Sequence, residues 1–405
     1  MSWAETDWQP GATGPLSGLR VLDLSRLVAG NMTSLQMADF GADVVKVEPI
    51  PAGDPLRAWK QAGVPSFWKV YGRNKRSLGL DFRDPAAGDV LRRLIAGSDV
   101  VIENFRPGTL ERMGLAPDDL LARHPQLVLL RVSGFGQSGP YSRRPGFGTL
   151  IEAMSGFAAR NGEPEGPPLL PPLALADMIA GLYGAHAVAM ALRARDAGQG
   201  GQVIDLSLLE AMTSVLGPEA LDQLLTGVPK PRVGNGSNTS SPRNAYRTRD
   251  GAWIAVSGSM QSMAERLFHA IGRADMVDDP RFRTNADRVA HRAEVDAAVA
   301  AWFAERDRDE ALALMDAAGV TAAPIYDSAD IARDPHFRDR GVYVALPDGD
   351  TGASVQHSPL PRMSATPGSL RRPAPGIGED GAEILSEIGF SPDEIANLRK
   401  AGTIA

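Results

Sequence analysis

Cysteine is absent from the 405 residues. Disulfides, thiolate zinc sites and a cysteine nucleophile are excluded together. Histidine is scarce, and the six (His124, His186, His269, His291, His336 and His357) are scattered without ligand spacing, so no metal centre is expected. HExxH, GxxxxGK[ST] and GxSxG do not occur. No uninterrupted apolar run reaches the roughly 18 residues needed to span a bilayer. The start, MSWAETDWQPGATGP, is acidic and has no apolar signal core. A cytoplasmic protein without a membrane partner is expected, and the sequons at Asn31, Asn235 and Asn238 are chance matches. The net charge of −7 argues against nucleic acid as a partner.

What is present reads as globular: 43% hydrophobic and 22% charged residues, at a length that favours two domains. Apolar runs LRVLDLS (19–25), DVVKVE (43–48), DVVIE (99–103) and LVLLRVS (127–133) predict strands. Helical patterns over 26–40, 85–96 and 117–124 alternate with them, so βαβ units and a mostly parallel sheet follow. Ligands of such sheets bind outside the carboxyl ends of strands, here after Ser25, Glu103 and Ser133. A strand running into a helix follows at 202–211, and a hairpin around Asp250-Gly251 with helices over 260–272, 294–305 and 308–318 predicts a smaller α+β unit. A Pro-rich passage (359–376) precedes a helical tail. GFGQSG (134–139) matches GxGxxG, but Pro140, Pro145 and further glycines make it a turning loop, which argues against a dinucleotide site.

Charge is unevenly spread. Residues 57–112 hold eleven Lys/Arg against six Asp/Glu, a bias that fits either a solvated basic face or an anionic small-molecule site. One aspartate interrupts an apolar run, LALADMIAGL (173–182). After Pro171-Pro172, and before a helical pattern over 178–195, Asp177 reads first as a helix N-cap.

GLRVLDLSRLVAGNMTSLQMADFGADVVKVEPIPAGDPLRAW (18–59), NKRSLGLDFRDP (74–85), DVVIENFRPGTLERMGL (99–115), SGFGQSGPYSRRPGFGTLIEAMSG (133–156) and LADMIAGLYGA (175–185) resemble, in order, the family III CoA-transferases; DPHFRDRG (334–341) continues the match. The resemblance implies an α/β fold. A Rossmann-like large domain is built from both termini (1–225, with 331–405 returning to it), a smaller α+β domain spans 226–330, and two chains interlock as a homodimer. It assigns the nucleophile to Asp177. CoA contacts fall on Val28 and Ala29, on Leu80, Asp81, Phe82 and Arg83, on Asn104, Phe105 and Arg106, and on Arg112. A loop near the thioester falls on Pro145, Gly146, Phe147 and Gly148. No bound cofactor or metal is implied; acyl-CoA and a carboxylic acid are substrates. Exchange of one thioester for another is nearly thermoneutral, and a carboxylate nucleophile suits it. At a helix start, free N–H groups would favour the ionised form and stabilise an oxyanion.

The sequence departs from formyl-CoA transferase. Val28 replaces a polar residue, which argues against formyl or oxalyl substrates; Pro49 replaces a basic CoA contact, for which Arg57 is the substitute; GNGSN (234–238) is the candidate lid. Succinyl-, malyl- or mesaconyl-type dicarboxylates, transferred between or within molecules, fit the GFGTLIEAMSG loop. The rivals are an α-methylacyl-CoA racemase, disfavoured because Phe147 stands where its histidine would be, and a non-catalytic CoA-binding module.

Overall fold

Short apolar runs become strands. The computed structural model describes residues 3–405, with strands β1 (Ala4–Glu5), β2 (Arg20–Asp23), β3 (Asp43–Pro49), β4 (Lys75–Leu80), β5 (Val100–Glu103), β6 (Val128–Ser133) and β7 (Gln202–Ser207) in its first half. Six of them form one sheet in the order β4-β3-β2-β5-β6-β7, every pair parallel. The chain steps outward from β2 to β4, then crosses back to lay β5 on the free side of β2. That is the doubly wound order, and the crevice between the carboxyl ends of β2 and β5 is its switch point. Helices cover both faces, so β2, β3, β5 and β6 are buried almost throughout, charged residues included.

Strand β4, KRSLGL, was not legible as a strand. Its cations are spent on carboxylates: Lys75 lies 3.5 Å from Asp23, and Arg76 lies 2.6 Å from Asp43 and 2.8 Å from Glu387. This edge strand is closed by the returning C-terminus, where the Asp81 N–H donates to the Thr403 carbonyl at 2.8 Å. Helices Gly381–Glu387 and Pro392–Ala401 place Ile384, Leu385 and Ile395 in the same apolar core as Leu78 and Leu94, which blunts the edge.

Two helices flank the switch point, Val28–Asp39 and Leu175–Ala194. They approach closely because Gly181 and Gly184 have no side chain; a Cβ on Gly181 would fall 2.9 Å from the Ala29 carbonyl oxygen. Thr33 Oγ1 donates to the Gly181 carbonyl at 3.0 Å. By length and composition the Leu175–Gln199 segment is apolar enough to cross a membrane, contrary to expectation. Its Ala176, Ala180, Gly184, Val188 and Leu192 are nevertheless buried in the protein, while Leu182, Tyr183 and Met190 are exposed.

The chain divides into two units, Met1–Ser155 with Pro171–Leu216 and Asp334–Ala405, and Gly156–Leu170 with Gly217–Arg333. In the second, β8 (Arg243–Arg247), β9 (Trp253–Ser257) and β10 (Ala322–Pro324) form an antiparallel sheet turned at Gly251. Its core stacks Tyr246 on Phe303 at 5.6 Å. In the first, β11 (Tyr343–Asp348) pairs with β12 (Gly352–His357) and with β1. This division differs from a linear boundary at residue 225/226. The 156–170 stretch joins the second unit because Gly162 accepts the Gly234 N–H at 3.0 Å and Gly166 accepts from Arg232 at 2.7 Å. The GNGSN stretch is fixed in that unit as well: Arg243 binds the Gly236 carbonyl at 2.9 Å, and Arg292 binds that of Ser237.

Candidate active site

The site starts from a buried ionic cluster. Asp23, at the end of β2, lies 3.2 Å from Lys46, which is also 3.2 Å from Asp54; all three are fully buried. Burial pushes the Asp23 carboxyl up, but Lys46, Lys75, Ser25 and Ser34 outweigh it and hold it well below the usual range. Burial pulls Lys75 down to about 8 against the opposing pull of Asp23. The cluster holds an unusual backbone. Leu27 sits at φ 62°, ψ −136°, where bulky L-residues are rare and strained. Its N–H donates to Asp54 at 3.0 Å, its carbonyl accepts from Asn31 at 2.6 Å, and Asn31 also donates to Asp54 at 2.9 Å. One Asp–Asn pair therefore clamps both polar groups of Leu27. The clamp sets the start of the 28–39 helix at the crevice, two residues later than the pattern suggested.

Neighbouring loops are stapled to this one. Asn104 accepts the Arg26 N–H at 2.9 Å and donates to the Arg26 carbonyl at 2.7 Å. Glu103 accepts the Phe105 N–H and the Arg131 guanidinium, both at 2.7 Å. Gly134 and Gly146 pass so closely that a Cβ on the first would lie 2.7 Å from the Cα of the second. No helix opens within 134–139, as expected of a turning loop. Between these loops lies a pocket of about 190 Å³, lined from the β2 loop (Arg26, Leu27, Ala29), the β5 loop (104–107), the 144–147 stretch and Asp177.

Asp177 is the third residue of its helix, not the cap; Ala174 holds the cap position and makes no side-chain cap bond. The first turn is not a set of free donors either. The Leu175 N–H donates to Leu173 and the Met178 N–H to Ala174, while the Ala176 N–H donates to Glu152 Oε1 at 3.1 Å. Asp177's own N–H faces its carboxylate and lowers its pKa. Burial and the nearby Glu152 prevail and raise the carboxyl from 3.8 to about 6. Glu152, only 2% exposed on the Gly148–Met154 helix, was missed by sequence reasoning. Its signal was a lone carboxylate inside GTLIEAM. A Cβ at Gly148 would collide with Asp177 Oδ2, so this glycine leaves room for the carboxylate.

The sequence pattern of CoA-transferase family III matches residues 16–381. The chain belongs to that family. This transferase is 38% identical over 389 residues to the succinyl-CoA–D-citramalate CoA-transferase of Chloroflexus aurantiacus, covering 95% of this chain and 97% of the relative. It is 35% identical over 390 residues to the succinate–glutarate CoA-transferase of Agrobacterium fabrum (94% and 97%). A crystal structure of a CaiB/BaiF family protein from Brucella suis superimposes with a TM-score of 0.82 at 34% identity, covering 93% of this chain and all of that one.

In this transferase Asp177, Ala29, Asn104, Phe105, Arg106, Pro145, Gly146 and Phe147 line one pocket. Gly148 abuts the Asp177 carboxylate, and Val28 is buried at the helix start. Leu80, Asp81, Phe82, Arg83 and Arg112 do not line the pocket. Leu80 ends β4 and the next three residues follow it on the same carboxyl edge, where Phe82 meets Phe105 edge-on at 6.4 Å. Arg83 is paired with Asp81 at 2.9 Å and Arg112 with the Thr109 hydroxyl at 2.8 Å. Arg57 is no spare CoA contact: it grips buried Glu48 through two 2.7 Å bonds and lies over Trp68 at 3.8 Å. The basic bias of 57–112 is also mostly structural. Of its cations, only Lys60, Arg106 and Arg112 have no carboxylate partner among the described residues; Lys69, for example, is bound to Asp348, and Arg73 to Asp39.

Proposed function

We propose that this transferase moves CoA from succinyl-CoA to a dicarboxylic acid, with Asp177 as the nucleophile. The observation that carries the reading is a half-buried aspartate in the switch-point pocket of a family III chain, supported by relatives that act on succinyl-CoA and succinate. An Asp177 oxygen attacks the succinyl thioester carbon and the C–S bond breaks, leaving a succinyl–aspartyl anhydride and CoA thiolate. The thiolate attacks the aspartyl carbon, succinate leaves, and an aspartyl–CoA thioester forms. The acceptor carboxylate displaces the thiolate from that carbon. The thiolate then takes the acceptor's acyl group, which restores Asp177. Anhydrides hydrolyse readily, so shielding from water matters. The raised Asp177 pKa reflects such a poorly solvated setting, in which the carboxylate is more reactive than in water.

CoA is read as lying across the carboxyl edge, with its diphosphate near the start of the 28–39 helix. A homodimer of interlocked chains belongs to the same reading. The 175–194 helix exposes Leu182, Tyr183 and Met190, and the 148–154 helix exposes Leu150 and Met154; such apolar faces call for a cover, here a second copy. The test is a matrix of CoA donors and carboxylic acceptors read by mass spectrometry. Transfer from succinyl-CoA to a dicarboxylate, lost in Asp177→Ala, is expected. A matrix without transfer would favour a CoA-binding module instead. Sedimentation at the mass of a monomer would remove the dimer.

A further inference from the structure

Three arginines line the pocket that holds Asp177: Arg26, Arg106 and Arg144. None has a carboxylate partner among the described residues, whereas Arg57, Arg73, Arg76 and Arg131 are each tied to one. Cations without a carboxylate partner along one pocket offer places for more than one anionic group. Arg26 and Arg106 stand on the β2 and β5 loops, stapled together through Asn104, beside the start of the 28–39 helix, where a phosphate is favoured. Arg144 lines the same pocket from the 144–147 stretch. It lies over the Tyr141 ring at 3.7 Å, and Tyr141 in turn meets Phe135 edge-on at 5.8 Å, so its plane is held by aromatic packing and not by an ion pair. Its stretch leads within four residues to Gly148, the residue against the Asp177 carboxylate, a span of at most about 14 Å.

We propose that Arg144 is the specificity-determining residue for dicarboxylic substrates. Its planar fork receives the distal carboxylate of the acyl group while the proximal carboxyl reacts at Asp177. The assignment rests on the transferase reading above and adds to it the group that separates dicarboxylates from monocarboxylates. Donor and acceptor acyl groups occupy the position in turn, so the same contact serves both halves of the exchange. A monocarboxylate of equal length cannot make this charge-assisted contact, and discrimination follows from the bond it forgoes.

The test compares wild type, Arg144→Gln and Arg144→Lys with succinyl-CoA or butyryl-CoA as donor and glutarate or butyrate as acceptor, alongside CoA affinity by calorimetry. Arg144→Gln should lower kcat/KM by roughly 10- to 100-fold for each dicarboxylic partner. CoA affinity and the butyryl-CoA-to-butyrate exchange should change far less. Arg144→Lys, which keeps the charge without the fork, should fall between. Where butyrate turnover is undetectable, the rise in KM for glutarate at constant CoA affinity is the deciding readout. An equal loss for all acids, a matching loss of CoA affinity, or no loss at all would overturn the assignment. A wild-type protein that transfers CoA to no carboxylate would instead overturn the transferase reading beneath it.

Discussion

Replacing Asp177 with asparagine should remove catalysis and, at neutral pH, make the protein more stable. Burial and Glu152 raise the Asp177 carboxyl from 3.8 to about 6. The folded state therefore holds this proton more tightly than the unfolded chain, and ionisation costs stability as pH rises through that interval. At roughly 1.4 kcal/mol per pH unit the full gap is about 3 kcal/mol, and partial solvent access reduces the usable figure to about 1–3 kcal/mol. The cost is absent well below pH 3.8, about half present at pH 5 and complete above pH 7. Asparagine keeps the shape and cannot ionise. Thermal unfolding of wild type and Asp177→Asn across pH 5–8 should show the variant gaining on wild type as pH rises, by a few degrees at pH 8. The wild-type kcat/KM should fall on the acid side with an apparent pKa near 6, since the protonated carboxyl is no nucleophile. A variant that is less stable than wild type at pH 8, or a difference that does not change with pH, would refute the reasoning.

Other consequences are equally specific. Gly148→Ala drives a methyl group into the Asp177 carboxylate, so activity should fall at least about 100-fold while unfolding shifts little; assays of kcat beside thermal scans check this. Glu152→Gln keeps an acceptor for the Ala176 N–H but removes the like charge, so the acid limb of the kcat/KM profile should move to lower pH. Glu152→Ala should also cost about 1–3 kcal/mol, visible in denaturant titration. Asp54→Ala strips Lys46 of one of its two carboxylates and the Leu27 N–H of its acceptor in a dry interior, and a loss of about 3–5 kcal/mol is expected by the same method.

Much of this was legible in the sequence because it follows from local burial. β2, β3, β5 and β6 each carry the clustered Val, Leu and Ile that a two-sided parallel sheet requires, and their order placed the crevice after β2 and β5. β4 was not legible, since KRSLGL looks solvated until Asp23, Asp43 and Glu387 arrive from far along the chain. The same long-range pairing explains why the basic bias of 57–112 pointed less to a ligand than its charge suggested. Asp177 was found as the one carboxylate in an apolar run, but its place within the first turn was not, because Pro171-Pro172 only bound the helix from upstream. Glu152 and the Asp54–Asn31 clamp on Leu27 depend on hydrogen bonds between distant segments, and periodicity carries no trace of them.

The central claim is that CoA passes through a covalent bond to Asp177. Incubation with succinyl-CoA and hydroxylamine, without acceptor, followed by peptide mass spectrometry tests it most directly. A hydroxamate is expected on the peptide carrying Asp177, absent when succinyl-CoA is omitted. Efficient CoA transfer with Asp177 recovered unmodified would contradict it.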